Sequence, residues 1–175
     1  VKMVFYFISC EGHVVYMGRD KFENEDLLKW GWPEDVWFHV DNYSSAHVYI
    51  RLKKDETIES LSKDVLMEMC QLVKENSIEG KKKDKVRIVY TPYHNLHKSG
   101  DMDIGAVGFH DEKLRYYMDC EKNKDLIKKI LKTKEERNPN LQEEREKRFN
   151  AEKKEKLAFY KVQQKEKAEV ERNKK

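Results

Sequence analysis

The chain has 175 residues, is 39% charged and 38% hydrophobic, and carries a formal net charge of +3. That length allows one globular domain with an extra arm, and that composition excludes a core running through the whole chain. From Leu141 onward twelve Lys/Arg stand against eight Glu, a net +4 that leaves −1 for residues 1–140, so bulk charge does not oblige the globular part to bind nucleic acid.

Val1-Lys2 ahead of Met3 reads as an addition, with Met3 as the natural start. Residues 3–9, rich in aromatic and β-branched side chains, predict a first strand, and 13–17 a second, reached through a turn at Glu11-Gly12. Gly18-Arg19-Asp20-Lys21 is a loop, after which Asn24 can cap a short helix to about Trp30, ended by Gly31 and Pro33. Segments 36–41 and 47–52 alternate with period two and predict a hairpin around Asn42-Tyr43-Ser44-Ser45-Ala46. Ser62 opens an amphipathic helix over 63–76, whose apolar stripe is Val65, Leu66, Met69, Leu72 and Val73. A basic turn at 81–85 leads into a strand at 86–91, and 92–104 is a polar loop without periodicity. Short strands at 106–109 and 114–119 close the sheet, a helix over 124–137 packs through Leu126, Ile127, Ile130 and Leu131, and Pro139 marks a boundary. The expected fold class is α+β: a mixed, largely antiparallel sheet with two or three helices, followed by a long charged C-terminal helix. In that tail the Glu/Lys pairs at i,i+4 favour a solvated single helix. The best heptad frame places lysines in its seam with Phe149, Tyr160 and Val170, a poor zipper; a weak coiled coil and a basic nucleic-acid arm are the alternatives.

In the predicted hairpin Val36, Phe38, Val40, Val48, Ile50 and Leu52 face the core, and Trp37, His39, Asp41, His47, Tyr49 and Arg51 share the other face. Pairing Asp41 with His47 would set His39 opposite Tyr49 and Trp37 opposite Arg51. Rings beside a cation suit a single-stranded nucleic acid, each stacked base contributing about 1–3 kcal/mol. The competing reading is that helices cover this face and make it a second core; the binding surface would then shift to Arg19-Asp20-Lys21 and to 93–98. Glu23, Glu25 and Asp26 flank the first of those loops and would repel phosphate. His94 and His97 are three apart, but a third and fourth metal ligand cannot be named. Ser44-Ser45-Ala46-His47 lacks a nucleophile elbow. Cys10, Cys70 and Cys120 are widely spaced without a CxxC pair, which suits a reducing compartment, and Cys70 in its apolar repeat reads as a buried thiol. Neither a signal peptide nor an apolar run of the ~20 residues that span a bilayer is visible.

Four ordered motifs carry a resemblance. Met17-Gly18-Arg19-Asp20 with Asn24-Glu25, Asp35-x-Trp37-Phe38-His39, Ser45-Ala46-His47-Val48, and Tyr90-Thr91-Pro92 with Asn95, Lys98, Gly105 and Val107 resemble the NFACT-R domain in order and spacing. The resemblance covers about residues 3–137, with a charged helical tail over 140–175, and is to the stand-alone branch of the family. It differs from the ribosomal quality-control branch in having Ser99-Gly100-Asp101-Met102-Asp103 where that branch is rich in Lys, Pro and Gly. The resemblance implies nucleic-acid binding, RNA or DNA, rather than catalysis. It also implies a role near tRNA and the large ribosomal subunit in the larger relatives, and membrane-associated DNA sensing in the animal branch. Its surviving motif residues are Arg19, Trp37, His39, His47, Tyr90, Thr91 and Lys98. Taken together, Arg19, Lys21, Arg51 and Lys98 are the expected phosphate contacts and Trp37, Tyr49 and Tyr93 the expected stacking rings. His39 and His47 would hydrogen-bond or position the hairpin. No cofactor or metal is expected, and the expected compartment is cytoplasm or nucleus, with membrane association implied by the resemblance alone. The alternative function is a protein-interaction adaptor whose tail docks on a partner.

Overall fold

The structure, a computed structural model, describes residues 3–174; the expectation about Val1-Lys2 lies outside them. Contacts divide the chain into two units, Val1–Pro139 and Asn140–Lys175. The first unit is built on a seven-stranded sheet: β1 (Val4–Ile8), β2 (Val14–Gly18), β3 (Asp35–Val40), β4 (Val48–Arg51), β5 (Lys85–Pro92), β8 (Tyr116–Glu121) and β9 (Glu135–Arg137), in the order β8-β5-β3-β4-β2-β1-β9. All neighbouring strands run antiparallel. Two further strands, β6 (Leu96–His97) and β7 (Gly108–Phe109), form their own ribbon. Segment 106–109, expected to close the main sheet, closes that ribbon instead.

One sheet face is the main core. Val15, Val36, Phe38, Val40, Val48, Ile50, Val86 and Ile88 alternate inward, and α2 (Lys63–Glu75) lays Val65, Met69, Leu72 and Val73 against them. Ser62 caps α2 by accepting from the Val65 amide at 3.2 Å. Beside it lies α4 (Lys124–Leu131), which buries Ile127 and Ile130. Between them a short α3 (Ile78–Lys82) replaces the expected basic turn, because Ser77 Oγ accepts from the Gly80 amide at 3.0 Å and starts a helical turn.

The opposite face is covered as well. α1 (Lys21–Trp30) begins three residues before the expected cap: Asp20, not Asn24, accepts from the Phe22 and Glu23 amides at 3.1 and 3.0 Å. It buries Leu27 over the sheet, and segment 93–115 completes the cover. Two close approaches join them. The Tyr93 hydroxyl donates to the Leu28 carbonyl at 2.5 Å, and its ring lies where a Cβ on Gly31 would meet it at 2.3 Å. Glu25 accepts from the Gly105 amide at 2.8 Å and pairs with Lys98 at 3.0 Å.

The predicted helix over 124–137 stops at Leu131. Thr133 Oγ1 donates to the Ile130 carbonyl and accepts from the Ile8 amide, turning the chain so that Glu135–Arg137 adds to the edge of β1. In the second unit α5 (Leu141–Asn173) is a single helix of 33 residues, capped by Asn140 and burying no residue. Ion pairs Glu143–Lys147 (3.0 Å) and Arg148–Glu152 (2.7 Å) run along it. Among the described residues no helix is long and apolar enough to cross a membrane.

Candidate nucleic-acid interface

The central hairpin forms, but its register differs from expectation by two residues: Trp37 faces Tyr49 and Asp35 faces Arg51. The sequence put the turn at the strand ends, whereas 41–47 stay unpaired as a wider loop, which moves each partner along. The aromatic face is thereby a second core. Trp37 is 2% exposed and Tyr49 fully buried, so neither is placed to stack on a base. Tyr49 stacks on Tyr16 with ring centres 4.7 Å apart. Arg51 grips Asp35 (Nε–Oδ1 2.8 Å) and lies 3.4 Å over the Trp32 ring, not against Trp37. Asp35 also accepts from the Tyr16 hydroxyl at 2.5 Å. Burial works against the Arg51 charge, but the Asp35 contact outweighs it and holds its pKa above the ordinary value.

The histidines are fixed by their neighbours. The Trp37 indole N–H, a donor only, donates to His47 Nδ1 at 3.0 Å, so that nitrogen carries no proton. Burial, together with the nearby His39 and Lys98, pushes the His47 pKa down to about 3, although the Gly105 carbonyl favours the protonated ring. His39 stacks on Trp37 (5.4 Å, 14°) and is likewise lowered, first by burial, with the Val40 carbonyl and Asp41 opposing. Asp41, expected to pair with His47 across the hairpin, lies instead 3.9 Å from Arg87. Tyr93 and Lys98 are committed to the α1 cover; Lys98 Nζ also donates to the carbonyls of Asp103 and Ala106 at 2.6 and 2.8 Å.

What remains open is a groove of about 890 Å³ at one end of the sheet. Its floor carries Gly18, Asn24, His39 and His47, and Arg19 and Lys21 stand on one rim. The facing rim is the 42–46 loop with Tyr43, which is 38% exposed, and residues 104–106 close a third side. Gly105 is required there: its φ is +83°, and a Cβ would come 3.1 Å from Lys21 Cβ. Ser45 Oγ accepts from the Val40 amide and Ser77 Oγ donates to the Ser44 carbonyl at 2.6 Å, so the Tyr43 loop is held in place. The floor also holds one unmet polar atom, Asn24 Oδ1, buried without a hydrogen-bond partner.

The structure thus brings Arg19, Lys21, His39 and His47 to one groove and leaves Trp37, Tyr49, Arg51, Tyr93 and Lys98 as framework. Sequence reasoning missed Tyr43, Ile78 (78% exposed, at the groove mouth) and Lys83, whose Nζ lies 5.8 Å over the Tyr43 ring. A ring inside a polar hairpin loop was the available signal. Of the carboxylates expected to repel phosphate, Glu23, Glu25 and Asp26, two are occupied: Glu23 accepts from the Arg19 amide at 2.7 Å and Glu25 is held by Lys98. No group of three or more His, Cys, Asp or Glu suited to a metal ion occurs among the described residues.

Fold and groove define a class: an antiparallel α+β domain whose open site lies between a helix start and a hairpin loop. The family described as "NFACT protein RNA binding domain" matches residues 3–111, and the chain belongs to it. It is 53% identical over 150 residues to coiled-coil domain-containing protein 25 of Danio rerio, covering 83% of this chain and 72% of that one. It is 50% identical over 161 residues to the Mus musculus protein of the same name (89% and 77%). Against Protein JLP2 of Saccharomyces cerevisiae it is 40% identical over 126 residues (70% and 61%). A solved structure of the C-terminal part of the fibronectin/fibrinogen-binding protein from Streptococcus suis shares the fold, with a TM-score of 0.60 at 20% identity. It matches 71% of this chain, which spans about half (48%) of that one.

Proposed function

We propose that the protein is a non-enzymatic nucleic-acid-binding module that takes a single strand of RNA or DNA into the groove beside Arg19, Lys21 and Tyr43. The observation that carries this reading is the groove itself: an open cleft with basic side chains on one rim and an exposed ring on the other. Lys21 and Arg19 meet phosphate, Tyr43 stacks on a base with Lys83 behind it, and the neutral imidazoles of His39 and His47 shape the floor. Membership of a family described as RNA-binding supports the class of ligand. A ribosome- or tRNA-associated role and DNA sensing are narrower forms of the same function.

The test is binding of the full chain to fluorescent single-stranded RNA and DNA across a salt series. Affinity falls as salt rises, and Arg19→Ala with Lys21→Ala reduces the slope of log K against log salt by about one and a half. Tyr43→Ala weakens binding with the slope unchanged, by roughly 1–3 kcal/mol. Absence of binding at ~50 mM salt overturns the reading. A second reading, an adaptor acting through the tail, draws on α5, where Phe149, Phe159 and Tyr160 are all more than half exposed. Loss of a partner, but not of nucleic acid, on deletion of 140–175 would favour it.

A further inference from the structure

Of the two cations on the groove rim, Arg19 is matched by acids, and Lys98 of the framework behind it is matched too. Arg19 pairs with Glu23 at 3.3 Å and Asp20 at 3.8 Å, and Lys98 with Glu25. Such a rim orients a strand but neutralises few phosphates. Elsewhere in the first unit several basic residues are matched: Lys81 with Glu75, Lys82 with Glu79, Lys85 with Asp119, Arg87 with Asp41 and Arg115 with Glu112, while Lys53, Lys54, Lys63 and Lys113 are exposed without an ion pair among the described residues but lie scattered.

α4 is where such lysines are densest. Lys124, Lys128 and Lys132 follow one another at i,i+4, and Lys129 stands beside them; all are exposed and none has an ion pair among the described residues. Their face lies opposite the Ile127/Ile130 stripe, and Asp125 is the one acid within the helix. Successive lysines on such a row rise by about 6 Å along the axis. The face also connects to the groove. Just past α4, Lys134 lies 4.1 Å over the ring of Phe5, and Phe5 lines the groove.

We propose that the lysine face of α4, joined to the groove through Lys134 and Phe5, is the main phosphate track of this protein. It binds the sugar-phosphate backbone of a strand leaving the groove. The inference rests on the nucleic-acid reading and adds the place where most of the charge is met. Lysine ammonium groups without rings or arginine forks read no base, so the track is indifferent to sequence. It engages only strands long enough to pass Phe5; a strand of a few nucleotides fills the groove alone.

The test uses the full chain and poly-uridine RNA of 5 and 30 nucleotides. In Lys124→Gln/Lys128→Gln/Lys129→Gln/Lys132→Gln, affinity for the 30-mer falls about tenfold or more at ~50 mM salt, and the slope of log K against log salt falls by about two to three. Binding of the 5-mer is unchanged. The matching Lys→Arg variant keeps the charge and restores 30-mer binding, which separates lost charge from lost folding. Unchanged 30-mer affinity and slope in the Gln variant overturn the track while leaving the groove reading to stand on Arg19 and Lys21. A chain that binds neither RNA overturns both. Loss of binding to phosphatidylserine vesicles with 30-mer binding intact assigns the face to a membrane surface and overturns the proposal.

Discussion

At the scale of single residues, the most conspicuous ring, Trp37, is a packing residue. Its indole is buried, stacked on His39 and bonded to His47. Trp37→Phe keeps most of the volume but leaves His47 Nδ1 without its donor, at a cost of about 1–3 kcal/mol. Denaturant melts should show that loss, while RNA affinity stays within twofold; a large fall in affinity at unchanged stability would return Trp37 to the binding surface. His47 makes a second prediction. Its folded pKa of about 3 lies below the ordinary 6.5, so the unfolded chain takes up the proton first as pH falls. The stabilisation from keeping the ring neutral is therefore full above pH 6.5 and is lost progressively toward pH 3, amounting to roughly 5 kcal/mol. His39 shifts in the same direction. In His47→Asn, whose amide oxygen can still accept from the indole, stability should fall less steeply between pH 6.5 and 4 than in the parent; equal slopes would show that carboxylates alone carry the acid sensitivity.

At the scale of elements, the cover on the Trp37 face depends on how closely α1 meets Tyr93. A methyl group at Gly31 would stand 2.3 Å from the Tyr93 ring, so Gly31→Ala should cost about 1–3 kcal/mol and loosen segment 93–115, read as faster amide exchange there. Unchanged exchange would mean that the Lys98–Glu25 contact holds the cover by itself. How legible these elements were follows from where their information lies. The apolar stripe of α2 and the alternation of β3 and β4 are local patterns, and both stand as expected. The core identities of Val36, Phe38, Val40, Val48 and Ile50 were equally plain. The register was not, because it depends on how much of 41–47 leaves the ladder. Nor was β9, where Glu135-Glu136-Arg137 has helical propensity and becomes a strand only because β1 offers a free edge. In the candidate site, Arg19 and Lys21 were legible as loop cations. Tyr49 and Arg51 lie on a face that α1 and the 93–115 segment, remote in sequence, cover, and Tyr93 is itself part of that cover, bonded to the Leu28 carbonyl.

At the scale of the whole molecule, the first unit holds the buried core while α5 buries nothing of its own. A chain ending at Pro139 should therefore keep its cooperative melt within about 2 °C, a shift set by far less than 1 kcal/mol. A drop of ten degrees would show that the tail contributes to the fold. Cutting a few residues earlier is a different matter. Without Glu135–Arg137, β1 becomes the outer strand of the sheet, Val-Phe-Tyr-Phe-Ile, still paired with β2 but with the outward amides and carbonyls of Val4–Tyr6 unpaired. Such a strand is a template for strands from other molecules. The three charged residues of β9 thus act as gatekeepers on that edge, and a proteolytic nick after Lys134 would leave the guard without its covalent tie to α4.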